Sequence, residues 1–181
     1  MASSGKDHTG FSFISPQRSD TYALIDPQKQ DLTGKCVFIS GASKGIGRAV
    51  AISFAKAGAT KIVIGARSDL SSLVPEIKMA AQKANRATPE IMSLELDVTD
   101  WQSVQAAAHK VEKEFGALDI LINNAGYLST FEKIVDSDPE EYWKSWEVNV
   151  KGRLLELLRQ SLTLYRCLLQ SEGIHPIVAQ E

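Results

Sequence analysis

The chain has 181 residues and a mass of 19.8 kDa, a length that corresponds to one domain with room for a tail. Its 20 basic and 22 acidic residues leave a net charge of −2, so nothing in the composition favours nucleic acid or an anionic membrane. No apolar run reaches the roughly 20 residues of a membrane span, and the N-terminus lacks a secretory signal pattern. Two cysteines and three histidines indicate neither a disulfide framework nor a metal site. These properties predict a soluble, cytoplasmic protein.

The chain divides into three parts by composition. Residues 1–32 are polar without a sustained period and are interpreted as a flexible leader, with an arm docked on the domain as the alternative. Residues 33–152 are predicted to form one nucleotide-binding domain. Residues 153–181 begin with a leucine-rich helical tail of atypical sequence, and residues 174–178 are a candidate fifth strand.

Short apolar runs predict four strands, at residues 36–39, 61–65, 91–96 and 118–122. Helical patterns separate the runs, and strands that alternate with helices form parallel sheets with helices on both faces. We therefore predict a doubly wound α/β fold, with a sheet that ends after about the fourth or fifth strand.

The predicted helices are placed by their periodic apolar residues and by their caps. Ile46, Val50 and Phe54 recur at helical spacing in the first helix, and the second helix covers residues 72–84. Asp100 is a candidate N-cap of the third helix. Asp138 is the candidate N-cap of a fourth, which is predicted to run from Pro139 toward residue 169. We expect its aromatic residues, Tyr142, Trp143 and Trp146, to pack the helix rather than to enclose a substrate.

A glycine-rich segment at residues 40–47, Ser-Gly-Ala-Ser-Lys-Gly-Ile-Gly, joins the first predicted strand to the first helix. Glycines there let the chain turn tightly and let backbone amides approach a pyrophosphate, which a helix N-terminus also attracts. The order of strand, turn and helix favours a nucleotide-binding turn. The glycines alone leave open a plain connection or the first turn of a methyltransferase fold.

The spacing of Gly41, Gly45 and Gly47 resembles that of the short-chain dehydrogenase/reductase family. Three later segments agree with the family in order and spacing: Leu-Asp-Val-Thr at 96–99, Asn-Asn-Ala-Gly at 123–126 and Asn-Val-Lys-Gly at 149–152. With four motifs in register over residues 35–152, the chain is identified as a member of this family.

This resemblance implies a Rossmann-like sheet and a set of cofactor contacts. The implied cofactor-binding residues are Gly41, Ser43, Lys44, Gly45, Ile46, Gly47, Arg67, Asp97, Val98, Asn124, Ala125 and Gly126. Asn149 is implied to be the asparagine of the family's catalytic tetrad. Two alternatives stay open: Asn124 as a turn residue that bonds its own backbone, and Asn149 as a polar residue on a helix face.

The residues after the second predicted strand bear on the choice of cofactor. An acid at that point would accept both ribose hydroxyls and repel a 2′-phosphate, but the segment reads Gly-Ala-Arg-Ser, with no acid until Asp69. In the family's geometry Lys44 faces the same ribose. Lys44, Arg67 and the missing carboxylate predict NADP(H) over NAD(H), unless both cations are merely solvated surface charges.

Membership of the family implies an oxidoreductase that transfers a hydride between the nicotinamide and a small-molecule carbonyl or alcohol. The family's chemistry also needs a serine and a Tyr-x-x-x-Lys array. Tyr165 follows Asn149, but Leu169 stands where the lysine is required. The alternative is therefore a catalytically inactive nucleotide-binding or interaction protein. The family also implies a homo-oligomer through the helix from Pro139.

Overall fold

The computed structural model describes residues 22–130 and 132–158, which form a four-stranded parallel sheet in the order β3-β2-β1-β4. The strands are β1 Cys36–Ser40, β2 Lys61–Ala66, β3 Glu90–Glu95 and β4 Ile120–Ile122. All four overlap their predicted positions, and the predicted doubly wound, Rossmann-like α/β fold is confirmed. The candidate fifth strand at 174–178 lies outside the described residues.

Strand β1 lies in the centre of the sheet, paired with β2 on one side and β4 on the other. Phe38 stands opposite Val63 of β2 and opposite Leu121 of β4. Every residue of β1 is buried, because both faces of the sheet are covered. Val37 and Ile39 belong to one core cluster, and Cys36 and Phe38 to the other, as the alternation of side chains in a strand requires.

Within the described residues, the strands are connected or followed by the helices α1 Gly45–Lys56, α2 Leu73–Lys83, α3 Trp101–Phe115 and α4 Pro139–Trp146. Both predicted N-caps form. The Asp100 carboxylate accepts a hydrogen bond from the Gln102 amide at 3.0 Å, and the Asp138 carboxylate accepts one from the Glu140 amide at 2.9 Å.

The buried face of α1 differs from the predicted one. Ile46 is 76% exposed, and the residues that face the core are Gly47, Ala51 and Ala55. These small residues share the same helical spacing as the predicted stripe, and they allow the helix to lie close to the sheet. Val50 and Phe54 are only partly buried against that core cluster.

The helix that begins at Pro139 is interrupted after two turns. Glu147–Gly152 is a π-helical segment, and residues 153–158 are α-helical again. The predicted extension through 159–169 lies outside the described residues. Tyr142, Trp143 and Trp146 are 45, 60 and 49% exposed, so the expectation that they pack the helix is wrong within the described part of the chain.

The described end of the polar leader contacts the domain. The Arg86 guanidinium donates hydrogen bonds to the carbonyl oxygens of Gln28 at 3.2 Å and Gln30 at 2.6 Å. The amide of Leu32 donates to the carbonyl oxygen of Ala57 at 2.9 Å, and its side chain packs on the core. Residues 28–32 therefore lie as an arm across the ends of α1 and α2, whereas residues 1–21 lie outside the described part.

None of the helices in residues 22–130 and 132–158 is long and apolar enough to cross a membrane. Over the same residues, no group of three or more His, Cys, Asp or Glu side chains is placed to hold a metal ion. Cys36 is buried at the start of β1, and burial raises the pKa of its thiol to about 11, which keeps it in the unreactive protonated form.

Candidate functional site

A cleft of about 480 Å³ opens at the carboxyl ends of the four strands. It is lined by the residues that follow each strand: Gly41 after β1, Arg67 after β2, Asp97 after β3 and Asn124 after β4. The chain order reverses between β1 and β4, because β2 and β3 lie on one side of β1 and β4 on the other. In open α/β sheets, ligands bind at this reversal point.

The glycine-rich turn lies directly against the segment that follows β4. Gly41 has a φ of +64°, and a Cβ atom there would lie 2.7 Å from the Cα atom of Ala125. A Cβ at Gly47 would overlap both the carbonyl oxygen of Gly41 and the side-chain nitrogen of Asn124. The contact between these two loops of the protein therefore requires both glycines, independently of any approach by a pyrophosphate. Gly45 also has a positive φ, +56°, but nothing lies within 4 Å of a Cβ there.

Asn124 holds the two loops together. Its side-chain amide donates hydrogen bonds to the carbonyl oxygens of Ser40 and Gly41, both at 3.1 Å. The backbone amides of Asn124 and Ala125 donate to the Ser40 hydroxyl, both at 3.2 Å. Asn124 thus bonds to the β1 loop rather than only to its own turn, and the edge of the cleft is rigidly built.

Asp97 is held in place by its neighbours on the loop after β3. Its carboxylate accepts hydrogen bonds from the amide of Thr99 at 2.9 Å and from the Thr99 hydroxyl at 2.7 Å. Partial burial acts to raise the pKa of Asp97, but the bonds from Thr99 and the charge of Arg67 outweigh it and keep the pKa below its usual value. The carboxylate is therefore ionised at neutral pH and fixed at the edge of the cleft.

Asn149 lies in the π-helical segment and bonds to the chain beyond β4. Its side-chain nitrogen donates to the carbonyl oxygen of Tyr127 at 2.7 Å, and its side-chain oxygen accepts from the amide of Tyr127 at 2.9 Å. Gly152, three residues on, allows close contact with the strand ends, since a Cβ there would lie 2.7 Å from a methyl carbon of Val98. Asn149 thus fixes the backbone beside the cleft, and its catalytic role stays a prediction.

Most of the predicted cofactor contacts line the cleft together. They are Gly41, Ser43, Lys44, Ile46, Arg67, Asp97, Val98, Asn124, Ala125 and Gly126. Gly45, Gly47 and Asn149 are not among the lining residues. Sequence reasoning missed Ala66, Ser68, Leu96, Tyr127 and Val148, which also line the cleft. Ala66 and Leu96 lie at or next to strand ends, and Val148 precedes the motif at 149–152, so their positions beside these features were the available signal.

Glu156 is a further polar residue that sequence reasoning did not single out. Its side chain is 0% exposed and accepts a hydrogen bond from the Ser40 hydroxyl at 3.2 Å. Burial raises the pKa of Glu156 to about 7, although the bond from Ser40 and the charge of Arg153 act in the opposite direction.

Comparisons with known proteins agree with the observed fold. The family model of the short chain dehydrogenases matches residues 35–168. The short chain dehydrogenase pigC of Monascus ruber is 49% identical over 145 residues, which are 80% of this chain and 48% of that protein. An alcohol dehydrogenase from the archaeon Thermococcus sibiricus, solved with 5-hydroxy-NADP, has a TM-score of 0.62 and 32% identity, over 73% of this chain and 54% of that one. The NADH-dependent reductase A1-R', solved with NAD, has a TM-score of 0.66 and 25% identity, over 78% of this chain and 56% of that one.

The described residues form a Rossmann-type domain whose cleft lies where nucleotides bind in such folds. The chain belongs to the short chain dehydrogenase family. It spans about half the length of the curated relatives it matches. The resemblance stated from the sequence motifs is confirmed, and solved members of this fold carry nicotinamide cofactors of both the NADP and the NAD type.

Proposed function

We propose that this chain is the cofactor-binding part of an NADP(H)-dependent oxidoreductase that acts on a small-molecule carbonyl or alcohol. The observation that carries the proposal is the cleft at the reversal point of the sheet, in which ten of the predicted cofactor contacts converge. The nicotinamide would supply or accept the hydride, while the protein binds and orients the cofactor.

The residues of the cleft fit a dinucleotide in their chemistry. The helix α1 starts at Gly45 without a side-chain cap, so its first amides are available to a pyrophosphate. Asp97 and Val98 would lie against the adenine, and the turn from Asn124 to Gly126 would border the rest of the cofactor. We propose no catalytic serine, tyrosine or lysine among the described residues.

A preference for NADP(H) follows from the charges at the ribose end of the cleft. Lys44 and Arg67 both line it, and Asp69, the first acid after β2, does not. The Asp69 carboxylate instead accepts hydrogen bonds from the amide and the hydroxyl of Ser71. A 2′-phosphate would therefore meet two cations, and no carboxylate follows β2 in the position that would repel it.

Replacement of Arg67 by aspartate is expected to weaken NADPH binding and thereby to favour NADH in relative terms. A charge-assisted hydrogen bond to phosphate contributes about 1.5–3 kcal/mol to binding. Because Arg67 is exposed, we expect a contribution near the lower limit, so its loss should weaken NADPH binding about tenfold. Fluorescence titration with NADPH and NADH would show weaker NADPH binding by Arg67→Asp and little change for NADH. Lys83→Asp, at the exposed end of α2, makes the same change in net charge as a control. Equal affinity of the unaltered protein for both cofactors contradicts the preference.

A catalytically inactive nucleotide-binding protein is the second candidate function. The observation in its favour is Leu169, which occupies the position where a lysine would complete an array with Tyr165. Incubation with NADPH and a panel of aldehydes and ketones separates the two candidates, because the inactive protein binds the cofactor without oxidising it. A reading of the gene past codon 181 for Tyr-x-x-x-Lys distinguishes an incomplete enzyme from an inactive one.

We also propose that two copies of the chain associate through the helix from Pro139. Several large apolar side chains of this helical run are exposed, and we propose that they form one patch: Trp143, Trp146, Val150, Leu154 and Leu157. Exposed patches of this kind mark interaction surfaces, and a patch on one helix can pair with itself in a symmetric dimer. No nucleic acid or membrane partner is proposed, and we propose the cytoplasm as the location.

Sedimentation of Leu154→Glu tests the association, because a charge in the middle of the patch would be buried in the dimer. We expect the unaltered protein to sediment as a dimer and the variant as a monomer of about 19.8 kDa. Gln105→Glu, on the exposed side of α3, adds the same charge elsewhere as a control. A monomeric unaltered protein at high concentration contradicts the proposal.

A further inference from the structure

The two oxygens of the Glu156 carboxyl group have different surroundings. Oε2 accepts a hydrogen bond from the Ser40 hydroxyl at 3.2 Å. Oε1 is buried and has no hydrogen-bond partner among the described residues. Leu154 and Leu157, its neighbours along the helix, are about half exposed, so a polar side chain occupies the buried position of this turn. Buried polar side chains without full hydrogen bonding are rare in native proteins, and each one requires a specific explanation.

The Ser40 hydroxyl connects Glu156 to the cleft. A hydroxyl has two acceptor lone pairs and one proton to donate. Both lone pairs of Ser40 are used by the amides of Asn124 and Ala125, each at 3.2 Å. The closest acceptor for its proton is Glu156, since the carbonyl oxygen of Ile122 lies at 3.5 Å. Glu156 therefore orients a hydroxyl that holds two backbone amides at the edge of the cleft.

The neutral acid suits this position better than the carboxylate does. In the neutral form, Oε2 can accept from Ser40 while Oε1 carries the proton. In the ionised form, a full charge is buried with a single hydrogen bond, which is costly. Ser40 and Arg153 are the groups of the described chain that act against this cost, and burial outweighs them, with a resulting pKa of about 7.

We propose that Glu156 is a positioning residue of the dinucleotide cleft, and that its neutral form is the one that binds the dinucleotide. This inference rests on the proposed function. The ionised carboxylate would place a buried negative charge behind the turn that borders an anionic ligand, and it would favour movement of the side chain toward water, away from Ser40. Because coupling between two binding events is reciprocal, the protein takes up a proton from solvent on Glu156 when the dinucleotide binds near neutral pH.

The affinity for NADH as a function of pH tests the inference. NADH is the suitable probe because it lacks the 2′-phosphate monoester, which itself titrates near pH 6. If only the neutral form binds, the affinity of the unaltered protein falls about tenfold between pH 6 and pH 8, in proportion to the neutral fraction. Glu156→Gln keeps an acceptor for Ser40 without an ionisable group, so its affinity is expected to be flat over this range.

A matched variant and a second measurement make the test decisive. Glu140→Gln removes an exposed glutamate from the same helical run and should keep the slope of the unaltered protein. Calorimetric titration of the unaltered protein in two buffers of different ionisation enthalpy measures proton uptake without any variant, and uptake of a fraction of a proton is expected at pH 7.5.

The inference is overturned if the affinity for NADH depends on pH in the same way in the unaltered protein and in Glu156→Gln, or if NADH binds without proton uptake. The proposed function stays in place in both cases. If neither the unaltered protein nor its variants bind NADH or NADPH at any pH, the proposed function fails, and this inference fails with it.

Discussion

Gly41→Ala is expected to lower the free energy of unfolding by about 3 kcal/mol or more. A left-handed backbone costs alanine roughly 1–2 kcal/mol, and Gly41 has a φ of +64°. The added Cβ would also lie 2.7 Å from the Cα atom of Ala125, a backbone atom that cannot rotate away. Forcing extra atoms into a packed region costs about 1–3 kcal/mol more. Urea denaturation measures the loss of stability. We also expect weaker NADPH binding, because the two loops that would separate form the edges of the cleft.

Gly34→Ala separates the effect of the backbone from the effect of the contact. Gly34 has a φ of +83°, but nothing lies within 4 Å of a Cβ there. It precedes β1, at the opposite end of the strands from the cleft, so its variant should lose only the roughly 1–2 kcal/mol of the backbone term and keep its cofactor affinity. Equal losses in the two variants would show that the contact between Gly41 and Ala125 contributes nothing.

The strands and the helix starts were predictable because their signals are local. Each strand is a short apolar run, and a strand buried on both faces has no polar alternation to obscure it. Asp100 and Asp138 were predictable as caps, since an N-cap side chain bonds an amide two residues away. The family motifs placed most of the cleft for the same reason, because three of the four motifs adjoin the end of a strand.

The buried face of α1 could not be chosen from its sequence. Large apolar residues and small ones recur with the same period along this helix, and either set can define a buried stripe. The small set faces the core because the helix must approach the loop after β4 closely at Gly47. That requirement comes from a contact between segments distant in the sequence, with Asn124 as the partner.

The position of Glu156 depends on a feature that a helical wheel does not contain. The π-helical segment Glu147–Gly152 includes one residue more per turn than an α-helix, which rotates every later side chain relative to the wheel drawn from Pro139. Its partner Ser40 is 116 residues away in the chain, so no local pattern pairs the two. Within a leucine-rich run, a glutamate is expected at the surface, but here Leu154, Leu157 and Leu158 are the exposed residues and Glu156 is buried.

The stability of the protein is expected to fall as the pH rises from 5 to 8, because of Glu156. Its pKa is about 7 in the folded protein and 4.5 in the unfolded chain, so between these values the folded state binds more protons. The stabilisation by the neutral acid is complete below pH 4.5 and is lost as the pH passes through 7, a change of about 3 kcal/mol. Urea denaturation at a series of pH values measures it.

The other described groups with shifted pKa values set the pH window in which this slope can be assigned to Glu156. Asp31, Asp69, Asp97 and Asp119 have lowered pKa values, so the stability they contribute is lost only as the pH falls below their unfolded value of 3.8. The Cys36 thiol, with a pKa of about 11 against 9.0 when unfolded, matters only above pH 9. Between pH 5 and 8, Glu156→Gln should therefore abolish most of the slope and be the more stable protein at pH 8, while Glu140→Gln keeps the slope. If Glu156→Gln keeps the full slope of the unaltered protein, other groups cause the slope. The pKa of Glu156 is then not raised in the folded protein, and its burial against Ser40 does not contribute to the pH dependence of stability.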